Sequence, residues 1–310
     1  MNDPLDSVFD EAPEGHKSGV IAVVGRPNVG KSTLINAILG QKVAAVSPKP
    51  QTTRKTQLGI YTEPLAQILF IDTPGIHEPR HKLGEYMVQT AENALRDADY
   101  IMWVLDSTEA PGKGEHAIAE RVKAARTPVI LVLNKIDALK PDANLEPHLA
   151  LVEHIEVHHV SALKNIGVQE LLQSLLSKIP FGPRYYPDDQ MTEISMRAVA
   201  AEIIREKVMT YTEEEVPHAS AVEIIEYKER SDGTHYVSAT IYVERDTQKA
   251  IVVGKKGEKI KRIGTEAREE LQKIVDARVY LELHVSVLKN WRSDPRAMQR
   301  FGYKIQKDDK

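Results

Sequence analysis

VIAVVGRPNVGKSTLINAIL, running from Val20 to Leu39, is the stretch that decides how the first half of the chain folds. An apolar run of strand length enters the loop Gly25-Arg26-Pro27-Asn28-Val29-Gly30-Lys31-Ser32, and a helical pattern leaves it, stopped at Gly40. The loop matches G-x-x-x-x-G-K-[ST] between a strand and a helix, which is the context a phosphate-binding loop requires. Its glycines allow the backbone to curl so that successive N–H groups face the phosphates, aided by the positive end of the following helix. Lys31 is expected to neutralise the β- and γ-phosphates, and Ser32 to give Mg²⁺ one hydroxyl oxygen. The bland alternative is a chance glycine-rich turn, and the strand–loop–helix setting weighs against it.

Outward from this loop the same grammar repeats. Gln67–Asp72 (QILFID), Tyr100–Asp106 (YIMWVLD) and Pro128–Asn134 (PVILVLN) are apolar runs of strand length, as in strands covered on both faces. Helical segments are expected at Ser32–Leu39, Gly84–Asp97, Glu115–Ala125 and Val168–Ile179. This alternation predicts a doubly wound α/β P-loop domain with a mostly parallel sheet over residues 19–180. Such sheets bind ligands at the carboxyl ends of their strands, and polar clusters stand at each of those ends. Asp72-Thr73-Pro74-Gly75 closes one strand, where the acid is expected to hold a Mg²⁺ water and the Gly75 N–H to report on the γ-phosphate. Asn134-Lys135-Ile136-Asp137 closes another. A carboxylate at Asp137 accepts from guanine N1–H and the 2-amino group, and adenine offers no matching donors, a contrast worth up to ~10⁴-fold. Ser161-Ala162 closes the next, where the Ala162 N–H is expected to meet guanine O6. Four motifs in order, each ending a strand, point to a GTP-binding domain. Gln51-Thr52-Thr53-Arg54 falls where a switch segment belongs, with Thr53 favoured over Thr52 as the residue that ligates Mg²⁺ when γ-phosphate is present. A polar surface loop is the competing reading there.

The chain has 310 residues, room for two domains, and its 42% hydrophobic and 28% charged content is that of an ordinary globular protein. No run of about 18 apolar residues occurs, so no membrane span is expected. Cysteine is absent, which excludes disulfides, thiolate metal sites and cysteine nucleophiles. Residues 1–18 are polar and acidic, with no basic start or apolar middle, and read as a disordered lead-in rather than a signal peptide. A cytoplasmic protein is expected. His154, His158 and His159 run into a strand where 158 and 159 face opposite ways, which argues against a metal site.

Three prolines and a glycine between Pro180 and Pro187 interrupt the pattern, so an interdomain linker is placed at 181–190. Beyond it the element order changes. Thr192 is a candidate cap for a helix that puts Met196, Val199, Ala200, Ile203 and Ile204 on one face. A hairpin turning at Ser231-Asp232-Gly233 follows, then two helices either side of Gly254-Lys255-Lys256-Gly257, then an alternating strand from Arg278. The order α-β-β-α-α-β over residues 191–310 predicts a small α+β domain of the type II KH kind. G-x-x-G between two helices is the KH loop, which clamps the backbone of about four single-stranded nucleotides. A lone G-x-x-G is a weak signal, and a glycine-rich helix–helix turn is its bland alternative. Here Lys249, Lys255, Lys256, Lys259, Lys261 and Arg262 surround it with Glu258 the one acid in that span, which favours RNA. Ile251, Val252 and Ile260 are candidates to line the groove where bases lie. Trp291 either stacks on a base or closes a small core.

GRPNVGKSTL, SPKPQTTR, DTPGIH, NKID and VGKKGEKIKRIG together resemble the Era family of bacterial ribosome-assembly GTPases, from Gly19 to about Arg292. The resemblance implies GTP/GDP and Mg²⁺ as cofactors, and the 3′ end of small-subunit ribosomal RNA and the pre-small ribosomal subunit as partners. It also implies a monomer with slow intrinsic turnover. Several GTPases orient the attacking water with a glutamine just after D-x-x-G; that position is Ile76, and the family is hydrophobic there. Several relatives use a bound K⁺ held by the P-loop asparagine, here Asn28. The alternatives are a GTPase in RNA modification or in membrane-associated signalling at the inner face of the cell membrane, and an RNA-binding module whose GTP site is structural.

Overall fold

The apolar runs form the centre of a six-stranded sheet. β1 (Lys17–Val24) is flanked by β3 (Ala66–Asp72) and β4 (Tyr100–Asp106), both parallel to it, and β5 (Val129–Asn134) and β6 (Glu156–His159) extend the sheet beyond β4. The sixth strand, β2 (Gln57–Glu63), pairs antiparallel with β3 at the edge, giving the order β2-β3-β1-β4-β5-β6. The computed structural model describes residues 13–40, 54, 56–74, 82–187 and 195–303, which fall into two units divided chiefly between Glu193 and Ile194. β2 is the one strand of this sheet that the sequence pattern does not announce. At an edge it is covered less evenly than the central strands, so its residues mix apolar and polar types without a continuous run.

Successive side chains of a strand point to opposite faces, and the two faces of this sheet carry separate cores. Ile21 and Val23 join Leu34 and Ile35 of α1 (Lys31–Leu39) and Leu171 and Leu175 of α5 (Val168–Lys178). Ala22 and Val24 join Ala91 and Leu95 of α2 (Lys82–Asp97) and Ile118 and Val122 of α3 (Lys113–Ala125), with Leu149 of the short α4 (Glu146–Leu149) packed against them. Met102 and Trp103, neighbours on β4, lie in opposite cores, both fully buried. Every strand that carries a motif therefore ends at the same edge of a sheet that is rigid on both sides.

The proline-rich segment after α5 runs along this unit. Phe181 bridges to Lys17, and the Gly182 N–H donates to His16 O at 3.2 Å. Gln67, buried in β3, uses all of its amide: Nε2 donates to Thr62 Oγ1 and Tyr186 O, and Oε1 accepts from the Tyr185 and Tyr186 N–H groups, all within 3.0 Å. The expected linker 181–190 thus begins, through residue 187, as chain fastened to the first unit.

The second unit starts with α6 (Met196–Tyr211), capped by Ser195, whose hydroxyl accepts from the Ala198 N–H; Thr192 lies outside the described residues. After α7 (Val216–Ala219) come β7 (Ala221–Glu229) and β8 (His235–Val243), an antiparallel pair with a bulge between Ile224 and Glu226. α8 (Asp246–Val253) and α9 (Glu258–Val275) cross over to β9 (Val279–Val287), which pairs parallel to β8 in the order β7-β8-β9. Ile204, Val237, Ile241, Val252, Ile263 and Leu271 form its core. This is the α+β arrangement expected of a type II KH domain. A last helix, α10 (Pro295–Arg300), closes it.

Trp291 belongs to that closure and is not a base-stacking residue. It is 0% exposed, its Nε1 donates to Ala219 O at 2.8 Å, and Phe301 packs edge-on to its ring. Trp291→Ala should cost the second unit about 3–5 kcal/mol of stability in chemical denaturation of the full chain followed by circular dichroism. Trp291→Phe, which loses the hydrogen bond but keeps most of the packing, should cost markedly less.

Candidate functional site

Gly30 shows why the phosphate loop has the shape it has. Its φ is 101°, a left-handed conformation, and a Cβ there would lie 2.3 Å from Asn134 Nδ2. That amide needs the space. Asn134 is 2% exposed; its Nδ2 donates to Val29 O at 2.8 Å, and its Oδ1 accepts from the Ala162 N–H at 3.0 Å. One side chain thereby ties the phosphate loop, the end of β5 and the loop after β6 together. The Ala162 N–H, expected to meet guanine O6, is engaged with Asn134 in this structure, so a base oxygen has to share it.

Lys31 is buried, with Nζ donating to Gly25 O and Arg26 O at 3.1 Å each. Burial lowers its pKa, partly offset by the negative charge of Asp72. An ammonium held there by neutral carbonyls is under-neutralised, and anionic phosphate oxygens are the partners it lacks. Ser32 Oγ donates to Asp72 Oδ2 at 2.7 Å, and Thr73 Oγ1 donates to Val23 O at 2.7 Å, fixing the chain that follows β3. Ser32 and Asp72 bring hard oxygen donors to one spot, the donor set that suits Mg²⁺. Arg26 contributes its backbone carbonyl to Lys31, while its side chain pairs with Glu109 at 3.2 Å and with buried Glu115 of α3. Pro27 is half-buried, and Asn28 is exposed with φ 67°. Pro74 and Arg54 are buried. Gln51, Thr52, Thr53, Gly75 and Ile76 lie outside the described residues.

At the base-reading end, Asp137 Oδ1 accepts from Ser161 Oγ at 2.5 Å, and Ser161 Oγ accepts in turn from the Lys164 N–H. Ser161 thereby orients the Asp137 carboxylate. Lys135, with φ 67°, sends its ammonium to Asp106, the last residue of β4. Burial pushes the Asp106 carboxyl upward, but hydrogen bonds from Lys135 and Thr108 outweigh it and hold the group below the usual range. Asp106 is a site residue that the motifs do not single out. Its signal is positional, an acid closing an apolar strand next to the one that ends in Asn134.

In the second unit, Gly254 has φ 74°, and a Cβ on it would lie 2.7 Å from Lys259 Cβ, so only glycine lets α9 start this close. At Gly257 the same addition would meet only Ile260 at 4.0 Å, leaving the outer side of the loop open. Lys255 and Lys256 are exposed on it. Beside it a groove of about 370 Å³ is lined by Ile260, Lys261, Gly264 and Arg268 of α9 and by Leu281 and Leu283 of β9. Of the apolar residues expected to line it, Ile260 does; Val252 is core, and Ile251 is 43% exposed. Arg262 also leaves the groove: its guanidinium lies over the Tyr211 ring at 4.5 Å and pairs with Glu266. Arg268, two turns further along the groove-facing stripe of α9, is a groove residue the motif does not include. Gly264 inside an otherwise good helix is the available clue, since a side chain there would crowd Leu283.

The comparisons with known proteins follow this division. The family of 50S ribosome-binding GTPases matches residues 20–135, and the KH domain family matches residues 215–292. Among solved structures, the chain is similar to Era in complex with MgGDPNP and nucleotides 1506–1542 of 16S ribosomal RNA, with 41% identity, 94% of this chain and 100% of that chain covered, and a TM-score of 0.87. It is similar to Era of Aquifex aeolicus bound to GDP and aluminium fluoride at the same identity and TM-score, with 93% and 100% covered. A GTPase domain followed by a KH domain, aligned over the whole of a relative at this identity, shows that the chain belongs to the Era family of GTPases.

Proposed function

We propose that this protein is a GTP-hydrolysing switch that binds the 3′ end of small-subunit ribosomal RNA and acts in assembly of the small ribosomal subunit. One observation carries the reading: a braced nucleotide site and an open G-x-x-G groove stand on one chain, in the order found in a relative crystallised with both ligands. Gly25 to Ser32 cradle the phosphates, Ser32 and Asp72 serve Mg²⁺, and Asp137 reads guanine. Thr53 and Gly75 are assigned to sensing the γ-phosphate, so that hydrolysis releases the segment around them. The GTP-binding domain, read as 19–180 from the sequence, is assigned 17–187 to include all of β1 and the chain fastened along it, and the RNA-binding domain is assigned to 191–310.

Turnover is slow in this reading, because Ile76 has no group to orient water and Asn28 with K⁺ supplies charge in its place. The cytoplasm is the proposed location, with any membrane contact a peripheral one. No helix among the described residues is long and apolar enough to cross a membrane.

Asp137→Asn should weaken GTP binding on the order of 10³-fold and improve xanthosine triphosphate binding, as measured by calorimetry. An unaltered base preference would refute the guanine-reading assignment. Hydrolysis should run faster in KCl than in NaCl, and Asn28→Gly, which suits the left-handed backbone while removing the amide, should erase the difference. Equal native rates in the two salts would sink the K⁺ proposal. For RNA, the Lys255→Ala/Lys256→Ala chain should bind a 3′-end oligonucleotide more weakly whatever its sequence. Its plot of log K against log salt should be shallower by about 1.4. An unchanged slope would remove these lysines from the phosphate contacts.

A further inference from the structure

Gln57 opens β2 with a buried carboxamide. The residue is 7% exposed, and no donor among the described residues reaches its buried Oε1. Leaving an acceptor dry is costly, so one in this position implies a donor. Its surroundings say which. Gln57 pairs directly with Asp72 across the antiparallel β2–β3 ladder. Directly opposed residues share a face of the sheet, with Cα atoms about 4.5–5.5 Å apart. That face is the one against α1: two residues along, a Cβ on Gly59 would lie 2.9 Å from Leu39 Cδ1 and 3.0 Å from Ile35 Cγ2. The steps from Gly59 to Gln57 and from Ile35 to Ser32 both lead toward the carboxyl end of β3. There Ser32 Oγ donates to Asp72 Oδ2 at 2.7 Å. Oxygen-bearing side chains from α1, β3 and β2 thus converge, and β2 is the strand that follows residues 51–54.

We propose that Gln57 is a positioning residue of the Mg²⁺ site, its Oε1 accepting one hydrogen of a water on the metal while Asp72 accepts the other. The inference rests on the proposed assignment of Ser32 and Asp72 to Mg²⁺. An amide oxygen and a carboxylate only accept, so a single group that satisfies both has to offer two hydrogens. Water on Mg²⁺ does so, and the charge of the metal strengthens both bonds. Mg²⁺ gives up its waters reluctantly and keeps several of them beside the protein oxygens that hold it. Gln57 therefore touches the metal's water and not the metal. Outer partners of this kind fix the orientation of what they touch and raise metal affinity. The amide acts on nucleotide affinity only through Mg²⁺, which separates it from a residue that merely supports the strand.

Binding of a fluorescent, non-hydrolysable GTP analogue to the full chain, followed across free Mg²⁺ concentrations and in EDTA, tests this. Gln57→Leu keeps most of the volume and removes the acceptor. The Mg²⁺ concentration at half-effect should rise about tenfold, with binding in EDTA kept. Gln57→Glu restores an acceptor at the same place and should return the Mg²⁺ requirement to the native value or below it. An unchanged requirement in Gln57→Leu, with Ser32→Ala raising it, would overturn the role of Gln57 alone. A loss of equal size with and without Mg²⁺ would make Gln57 a prop for β2 and overturn it as well. So would a Gln57→Glu chain that behaves like Gln57→Leu. A native requirement in Ser32→Ala would overturn the Mg²⁺ assignment and the inference together.

Discussion

The carboxamide of Asn134 is the joint on which the nucleotide site depends. It has one donor on the phosphate loop and one acceptor on the loop after β6, and it is buried, so neither bond can be exchanged for water. Gly30 is glycine because that amide occupies the volume a side chain would need. Loops up to about a hundred residues apart in sequence are thus given one geometry by a single planar group. Rigid cores on both faces of the sheet bring the strand ends close enough for this to happen.

The two glycine-and-lysine loops of the chain meet similar demands in unlike surroundings. In the first, the lysine is buried and turned back on its own carbonyls, so its charge is withheld from solvent until an anion enters. In the second, both lysines are exposed, and the backbone beside Gly257 faces open space. An enclosed loop suits a compact triphosphate, and an open one suits a polymer that continues in both directions. The difference lies in what surrounds each loop more than in its residues.

Much of this is legible in the chain without coordinates. Continuous apolar runs identify the central strands, because burial on both faces leaves little choice of residue, and the polar motifs at their ends follow from topology. β2 escapes, since an edge strand is under weaker constraint. Contacts between side chains distant in sequence escape more thoroughly. Gln67 at the head of QILFID shows no local reason for its amide; the reason lies at Tyr185 and Tyr186, more than a hundred residues away. Arg262 and Arg268 look equivalent on paper, and only the rotation of α9 sends one to Tyr211 and the other to the groove. Asp106 is hidden for the same reason, as its partner lies just past the end of the neighbouring strand.

Gln67 also gives β3 a second role. One end of that strand carries Asp72, hydrogen-bonded to the serine of the phosphate loop, and near its other end Gln67 grips the chain on its way out of the first unit. A strand is stiff along its length, and this one is held on both sides by parallel and antiparallel neighbours. Held in this way, β3 fixes the phosphate-loop end and the departing chain to one element of the sheet. The nucleotide site and the exit of the polypeptide take their positions from the same seven residues of backbone.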